Sequence, residues 1–572
     1  MDQDDLPRVD YPLRMRSLSF LLALLSPAPL PAEAPPADSI YLNGVVYTVD
    51  GKFSRAEALA VRGGRIAAVG TNKEVRPLAG ERTSVHDLKG RCVTPGFIDS
   101  HGHMTSLGSF SSGRLDLHGA RSFDEVVRRV GEAAEKAAPG EWILGGRWDQ
   151  SLWGEREFPA HGKLTEAAPR HPVWLERIDG HAAVANRRAM EIAGITSATK
   201  DPPGGELLRD ARGEPAGLFV DNAMPLVERV IPGGKVAPEE LILRAQERCL
   251  RAGLTGVHDA GIGPREIDAY RRLAAGGRLK IRIYGMAYGS LGAEYFRTHR
   301  PEAGERFTLR ALKLMIDGAM GSRGAWLIEP YADRPLDANG QPYRGLPVQE
   351  PPFVRAVALA AAESGWQVCT HAIGDRGIRE TLDAYAEALA KVPGRDLRFR
   401  IEHAQNPHPA DIPRFASLGV IASMQPTHAT SDMRWAEARV GPDRARTAYA
   451  LKQFLKAGVR IAGGSDFPVE GEDPLRGLYA AVTRQDEAGR PEGGWHPEER
   501  LTREEAIRAF TIDAAFAAFE EREKGSIEPG KLADFVIWSR DIVACEPRAL
   551  LDAHALSVVI GGEVVSDGSA ER

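Results

Sequence analysis

Between Thr94 and Gly463 the chain alternates short apolar runs with helix-like spacers. The runs are Thr94–Ser100, Gly256–Asp259, Ile281–Met286, Ala311–Asp317, Gln367–His371, Phe399–His403, Val420–Met424 and Val459–Gly463. Spacers such as Pro352–Ser364 and Asp375–Lys391 carry helical patterning. About eight such repeats predict an α/β chain folded as a (β/α)8 TIM barrel. Barrel enzymes build their sites where the strands end, and polar residues cluster at those ends here.

The gap between the first two runs is too long for one helix. It predicts an insertion over about 105–250, with strand-like Trp142–Gly145 and Val173–Ile178 and a Pro/Gly-rich stretch at Asp201–Gly217. Such an insertion is expected to cap the barrel mouth. Both ends of the chain are rich in strands and turns. Ser39–Val49 holds Asn43-Gly44, Ala58–Val69 holds Gly63-Gly64, and Leu556–Val565 holds Gly561-Gly562, all hairpin signals. Either end alone is too small for a good core, so 39–94 and 525–570 are expected to join in one composite β-sandwich. The barrel then spans 95–524.

Residues 1–38 read as a leader. Arg14 and Arg16 precede the apolar run Leu18–Leu25, and Ala32-Glu33-Ala34 fits a small-x-small cleavage site. Asp2, Asp4 and Asp5 do not suit a basic start, which points to Met15 as the initiator. The expectation is export to the periplasm or medium, against a disordered leader on a cytoplasmic enzyme. The apolar run is too short to span a bilayer, so no membrane insertion of the mature chain is expected.

Of 572 residues, 43% are hydrophobic and 27% charged, as in an ordinary soluble globular protein. With 60 Gly and 39 Pro the chain falls short of low-complexity composition. A net charge of −6 gives no electrostatic case for nucleic acid as a partner. Cys92, Cys249, Cys369 and Cys545 are too scattered for a zinc ribbon or a disulfide framework.

The first barrel run leads into His101-Gly102-His103. Residues two apart on an extended chain point the same way, so both imidazoles can aim at one buried point. That arrangement suits a divalent transition metal. Alone the pair is a weak signal. Further candidates follow the other strands: Lys313 on the fourth, His371 on the fifth, His403 on the sixth and Asp466 after the eighth. Each has an ordinary alternative, a core histidine, an outward lysine or a helix-capping aspartate. Their concurrence on one barrel outweighs those alternatives.

These residues resemble the amidohydrolase superfamily of metal-dependent hydrolases. The strings Asp317-Gly318-Ala319-Met320-Gly321-Ser322-Arg323, His371-Ala372-Ile373-Gly374-Asp375, Ile401-Glu402-His403-Ala404-Gln405, Gln425-Pro426-Thr427-His428 and Gly530-Lys531-Leu532-Ala533-Asp534 are similar to the branch containing N-substituted formamide deformylase. The resemblance runs from about Ser39 to Asp567. It implies one or two divalent metal ions, usually zinc. His101, His103 and Asp466 would bind the first, His371 and His403 the second, with Lys313 bridging as a carbamate. A lysine ammonium has no acceptor and cannot ligate a cation, whereas its carbamate offers two anionic oxygens. Asp466 would also be the catalytic general acid and base.

The function expected is hydrolysis of a carbon–nitrogen bond in a small, non-peptide, amide-like substrate. A metal-dependent esterase, lactonase or phosphoesterase on the same site is the alternative, because fold does not fix substrate. A catalytically silent relative would have lost ligands, and the complete set of six argues against it. A homodimer is one arrangement open to such a chain. His181, Arg323, Trp326 and His428 are candidate substrate-binding residues, each weighed against a loop or packing role. Trp142, Trp148, Trp153 and Trp174 suit either a pocket wall or core. His258 is expected in the core or behind the site, and Asp375 as a helix cap.

Overall fold

The computed structural model describes residues 35–153, 157–234 and 236–568. Most of the expected leader lies outside the described residues. At the centre is a sheet of eight parallel strands: β1 Phe97–Gly102, β2 Leu254–Ile262, β3 Arg282–Tyr288, β4 Phe307–Met315, β5 Gln367–Ala372, β6 Arg400–His403, β7 Ile421–Met424 and β8 Ile461–Gly463. They neighbour one another in chain order, and every pairing is parallel. The sheet closes on itself just beyond β8, where Phe467 bridges Gly102. The Asp466 amide donates to the His101 carbonyl at 2.7 Å and the His103 amide to the Phe467 carbonyl at 2.9 Å. This is the expected TIM barrel.

Local chemistry explains the alternation. The helix Pro351–Ser364 starts on prolines, whose missing N–H costs nothing at a first turn, and ends on Gly365 with φ 82°. Trp366 and the wholly buried β5 follow at once. The helix Asp375–Lys391 then presents Ile378, Leu382 and Tyr385 to the barrel core. Spacings of three and four residues put these side chains on one helical face.

Two further sheets pack together beside the barrel. One has the order 65–70, 58–62, 39–42, 84–87; the other 563–567, 555–560, 535–538, 92–95, 45–47, 55–56. Tyr41, Leu59 and Val61 of the first share a core with Val46, Val93, Phe535 and Val559 of the second. Strands from both ends of the chain thus pair in one sheet, as Phe535–Trp538 lies antiparallel to Cys92–Pro95. A buried pair ties this layer to the barrel: Arg282 Nε donates to Asp534 Oδ2 at 2.6 Å, and Nη2 to Oδ1 at 3.0 Å.

Two expectations need correction here. The run Thr94–Ser100 is not one strand, since Cys92–Pro95 belongs to the composite sheet and β1 begins at Phe97. Asn43-Gly44 does not close a hairpin either. Ser39–Leu42 and Val45–Tyr47 lie in different sheets, and Asn43, at φ 58°, turns the chain from one to the other. Its amide is held by Asn72 Oδ1 and its side chain by Asp87. The Gly63-Gly64 and Gly561-Gly562 hairpins form as expected.

After β1 the chain builds a six-stranded mixed sheet with the order 205–209, 215–221, 182–185, 173–177, 143–148, 115–116. The Pro/Gly-rich stretch supplies its outer hairpin, Gly205–Arg209 against Pro215–Asp221. This sheet has cores of its own, one around Trp148 and Trp153 and one around Trp174 and Phe219. No helix among the described residues is long and apolar enough to cross a membrane.

Candidate metal centre

The barrel ends in a cavity of about 330 Å³. His103, Lys313, His371, His403 and Asp466 line it from the strand ends, His428 from the helix Pro426–Asp432 after β7, and Arg177, Asp179 and His181 from the insertion. His101 lies buried just beneath.

The six side chains proposed as metal-binding converge. His103 Nε2 lies 3.1 Å from Asp466 Oδ1, and His101 Nε2 lies 3.7 Å from the same oxygen. Lys313 Nζ is 3.0 Å from His101 Nε2. The His403 ring is 4.6 Å from that of His101 and 4.7 Å from that of His371, between centroids. Pleating explains the first pair, since positions 101 and 103 flank one outward residue. Asp466 is aimed by an unusual backbone, with φ 61°.

Three of the histidines, His101, His371 and His403, have one ring nitrogen engaged by protein. His101 Nδ1 meets Glu402 Oε2 at 2.5 Å, and His403 Nδ1 meets Gln425 Oε1 at 2.9 Å. His371 uses Nε2 instead, 3.3 Å from the Gly318 carbonyl. A partner on one ring nitrogen fixes the tautomer and frees the other nitrogen as a ligand.

Burial weighs against charge at this centre. It pulls His101 down to about 4, with the Lys313 ammonium adding to the effect, and holds His371 and His403 well below the ordinary histidine value. Burial likewise lowers Lys313, favouring the neutral amine. For Asp466 burial acts against the charge, but contact with His103 and the charges of His101 and His403 win, leaving it well below the usual carboxylate range. Imidazoles, a carboxylate and a buried lysine amine are a donor set for a divalent cation. Asp466 Oδ1 is buried and, despite its close histidines, has no aligned hydrogen bond, as expected of an oxygen reserved for an ion. Among the described residues, His101, His103 and Asp466 bring ligand atoms within 4.8 Å of one another, as do His403, His428 and Asp466.

The four residues proposed for substrate divide. His181 and His428 line the cavity. His428 Nδ1 is 3.0 Å from Gln405 Nε2, and its Nε2 sits 3.8 Å from Asp466 Oδ2. Arg323 and Trp326 are not among the lining residues. Arg323, at φ 61°, turns to an ion pair with Asp333 at 3.0 Å. Trp326 packs against the barrel core with Arg376 over its ring. Trp148, Trp153 and Trp174 are likewise core, and Trp142 packs on the insertion's second core. His258 is buried behind the site, 2.9 Å from Arg400 Nη1. Asp375 heads its helix and accepts from the Ile328 and Arg376 amides.

Several supporting groups stand inside motifs quoted above without having been singled out. Glu402 bridges His101 to Arg400, whose Nη2 also reaches the Ser100 carbonyl at 2.6 Å. Asp99 accepts from Ser465 Oγ at 2.6 Å and from the His101 amide at 3.0 Å, pinning β1 to the chain beyond β8. Asp317 accepts the Ile373, Gly374 and Trp326 amides. Burial pushes both Asp99 and Asp317 up to about 7. A carboxylate one residue before a metal-site histidine, as in Glu402-His403, is the signal that could have exposed Glu402.

The comparisons agree with this geometry. A family model described as amidohydrolase family matches residues 84–566. The chain is 36% identical to protein LONG AFTER FAR-RED 3 of Arabidopsis thaliana, covering 92% of this chain and 91% of that one. It is 31% identical to N-substituted formamide deformylase of Arthrobacter pascens, covering 92% and 97%. The crystal structure of an uncharacterized metal-dependent hydrolase from Pyrococcus horikoshii superposes with a TM-score of 0.71 at 27% identity, covering 89% and 99%. With its barrel, its converging ligand set and a family match across most of its length, the chain belongs to the amidohydrolase family and is a metal-dependent hydrolytic enzyme.

Proposed function

We propose that this enzyme hydrolyses a carbon–nitrogen bond in a small, non-peptide, amide-like substrate, giving a carboxylic acid and an amine. The reading rests on one observation: imidazoles, a lysine and a carboxylate from five separate strand ends meet at one cavity. The 31% identity to N-substituted formamide deformylase supports the choice of bond.

His101, His103 and Asp466 would hold one divalent ion, zinc by the character of the donors. His371 and His403 would hold a second, with Lys313 between them. Lys313 joins such a set as a carbamate, formed when its neutral amine adds carbon dioxide and releases a proton. Its burial shifts the lysine toward the neutral amine that reaction needs. When bound, such ions lower the pKa of water and polarise a carbonyl. The chain's own residues carry the proton. The Asp466 carboxylate takes it from the attacking water and delivers it to the departing nitrogen. His428 Nε2, buried and without a hydrogen bond, would contact the substrate oxygen.

A panel of N-formyl and N-acyl amines, cyclic amides, esters, lactones and phosphoesters tests this reading. We expect kcat/KM for the best amide to exceed that for the matching ester at least tenfold. Turnover of esters or phosphoesters alone would transfer the site to the other chemistry. No turnover by metal-replete protein would favour the silent relative.

A further inference from the structure

Resting on the hydrolase reading above, we infer that His181, carried in by the insertion, contacts the substrate, and that Asp221 is its positioning residue, seated on glycines of the β4 loop.

The geometry begins in the insertion's sheet. Strand Ala182–Ala185 pairs antiparallel with Pro215–Asp221, with Ala182 opposite Val220. His181 and Asp221 therefore emerge side by side at one sheet end, and the Asp221 amide donates to the His181 carbonyl at 3.0 Å. Their side chains also meet, His181 Nδ1 lying 2.6 Å from Asp221 Oδ1. Both are buried, the Asp221 side chain only 1% exposed. His181 faces the cavity with its ring centroid 4.9 Å from that of His371. With Nδ1 held by Asp221, Nε2 is the polar atom left for a substrate. A carboxylate that fixes an imidazole's tautomer and direction is a recurring device of hydrolytic sites.

The seat lies in the loop after β4. A Cβ on Gly318 or on Gly324 would fall 2.2 Å from Asp221 Oδ2, and one on Gly321 would fall 2.7 Å from Arg177 Nη1. Glycines at every third position thus admit two side chains of the insertion. Arg177 is fixed in turn by Asp149, Asp179 and Gln150. Asp221 Oδ2 makes no hydrogen bond although buried, and its backbone sits at φ 47°. An unsatisfied oxygen and a left-handed aspartate both cost free energy, and the contact they preserve is the one to His181. The spacing Gly318-x-x-Gly321-x-x-Gly324 is therefore read as a socket that locks the insertion over the barrel.

The test uses metal-loaded, full-length enzyme and its best substrate from the panel. His181→Ala and the isosteric Asp221→Asn are each expected to lower kcat/KM by about 10- to 100-fold with wild-type metal content. The double variant should fall no further than His181→Ala alone, because residues acting as a unit are not additive. Gly324→Ala, which would displace Asp221, should lose activity in the wild-type background and lose little more when His181 is already Ala. That arm reports on the same link if Asp221→Asn does not fold. Wild-type kcat/KM in His181→Ala, or multiplicative losses in the double variant, would overturn the inference. If the wild-type enzyme cleaves only esters, the amide reading fails and the same series, run on the ester, still decides this one.

Discussion

Asp466→Asn is expected to lower kcat by about 10²- to 10⁴-fold while leaving a folded protein that keeps much of its metal. The two side chains have the same shape, and asparagine retains one oxygen toward the ion. It cannot accept and return a proton. The backbone that aims position 466 is secured independently, by the amide bond to the His101 carbonyl and the Phe467–Gly102 bridge. Steady-state kinetics and metal analysis of the same preparation separate the two roles. Wild-type turnover in this variant would remove Asp466 from proton transfer.

Glu402→Gln is expected to damage both stability and the site. Glu402 and Arg400 are wholly buried, with Arg400 Nε 2.8 Å from Glu402 Oε1. Removing one charge leaves the other buried without its counterion, which costs about 3–5 kcal/mol. The same change weakens the carboxylate on His101 Nδ1, and loss of such a partner typically lowers metal affinity by about 10- to 100-fold. Denaturant unfolding of the apo protein reads the first effect, and competition against a metal-binding dye the second. The pH dependence has a definite sign. Burial opposes the Glu402 charge, but Arg400 and His101 more than offset it and hold the carboxyl below its ordinary value. The stability from this pair is therefore complete above the unfolded glutamate value of ~4.3 and is lost as pH falls toward the lower folded value. Glu402→Gln should flatten the acid limb of the stability curve. An unchanged limb would show that the pair carries no linkage.

What was legible in the sequence followed from local periodicity. Strand–helix alternation marks the barrel, and a two-residue spacing turns His101 and His103 the same way without any knowledge of the fold. His371 and His403 could be placed at strand ends because each closes a buried apolar run, and Lys313 because it lies near the end of one. The misreadings arose where a single residue redirects the chain. Arg323 stands close to the site in sequence, but its left-handed backbone sends the guanidinium to Asp333. Asn43 passes the chain between sheets where a hairpin was expected. The partners of the site were hidden for another reason. Glu402 meets His101 across 301 positions, and Ser465 meets Asp99 across 366. No local pattern encodes such contacts. The role of Gly318, Gly321 and Gly324 was equally invisible, since it depends on side chains from an insertion that precedes them by about a hundred residues.

The central claim is that His101, His103, Lys313, His371, His403 and Asp466 form a metal centre on which turnover depends. Elemental analysis of purified enzyme, before and after chelation, tests it most directly when paired with activity. One or two divalent ions per chain are expected, with loss of turnover on chelation in proportion to metal removed and recovery when zinc and bicarbonate are returned. Full turnover by a preparation free of metal would contradict it.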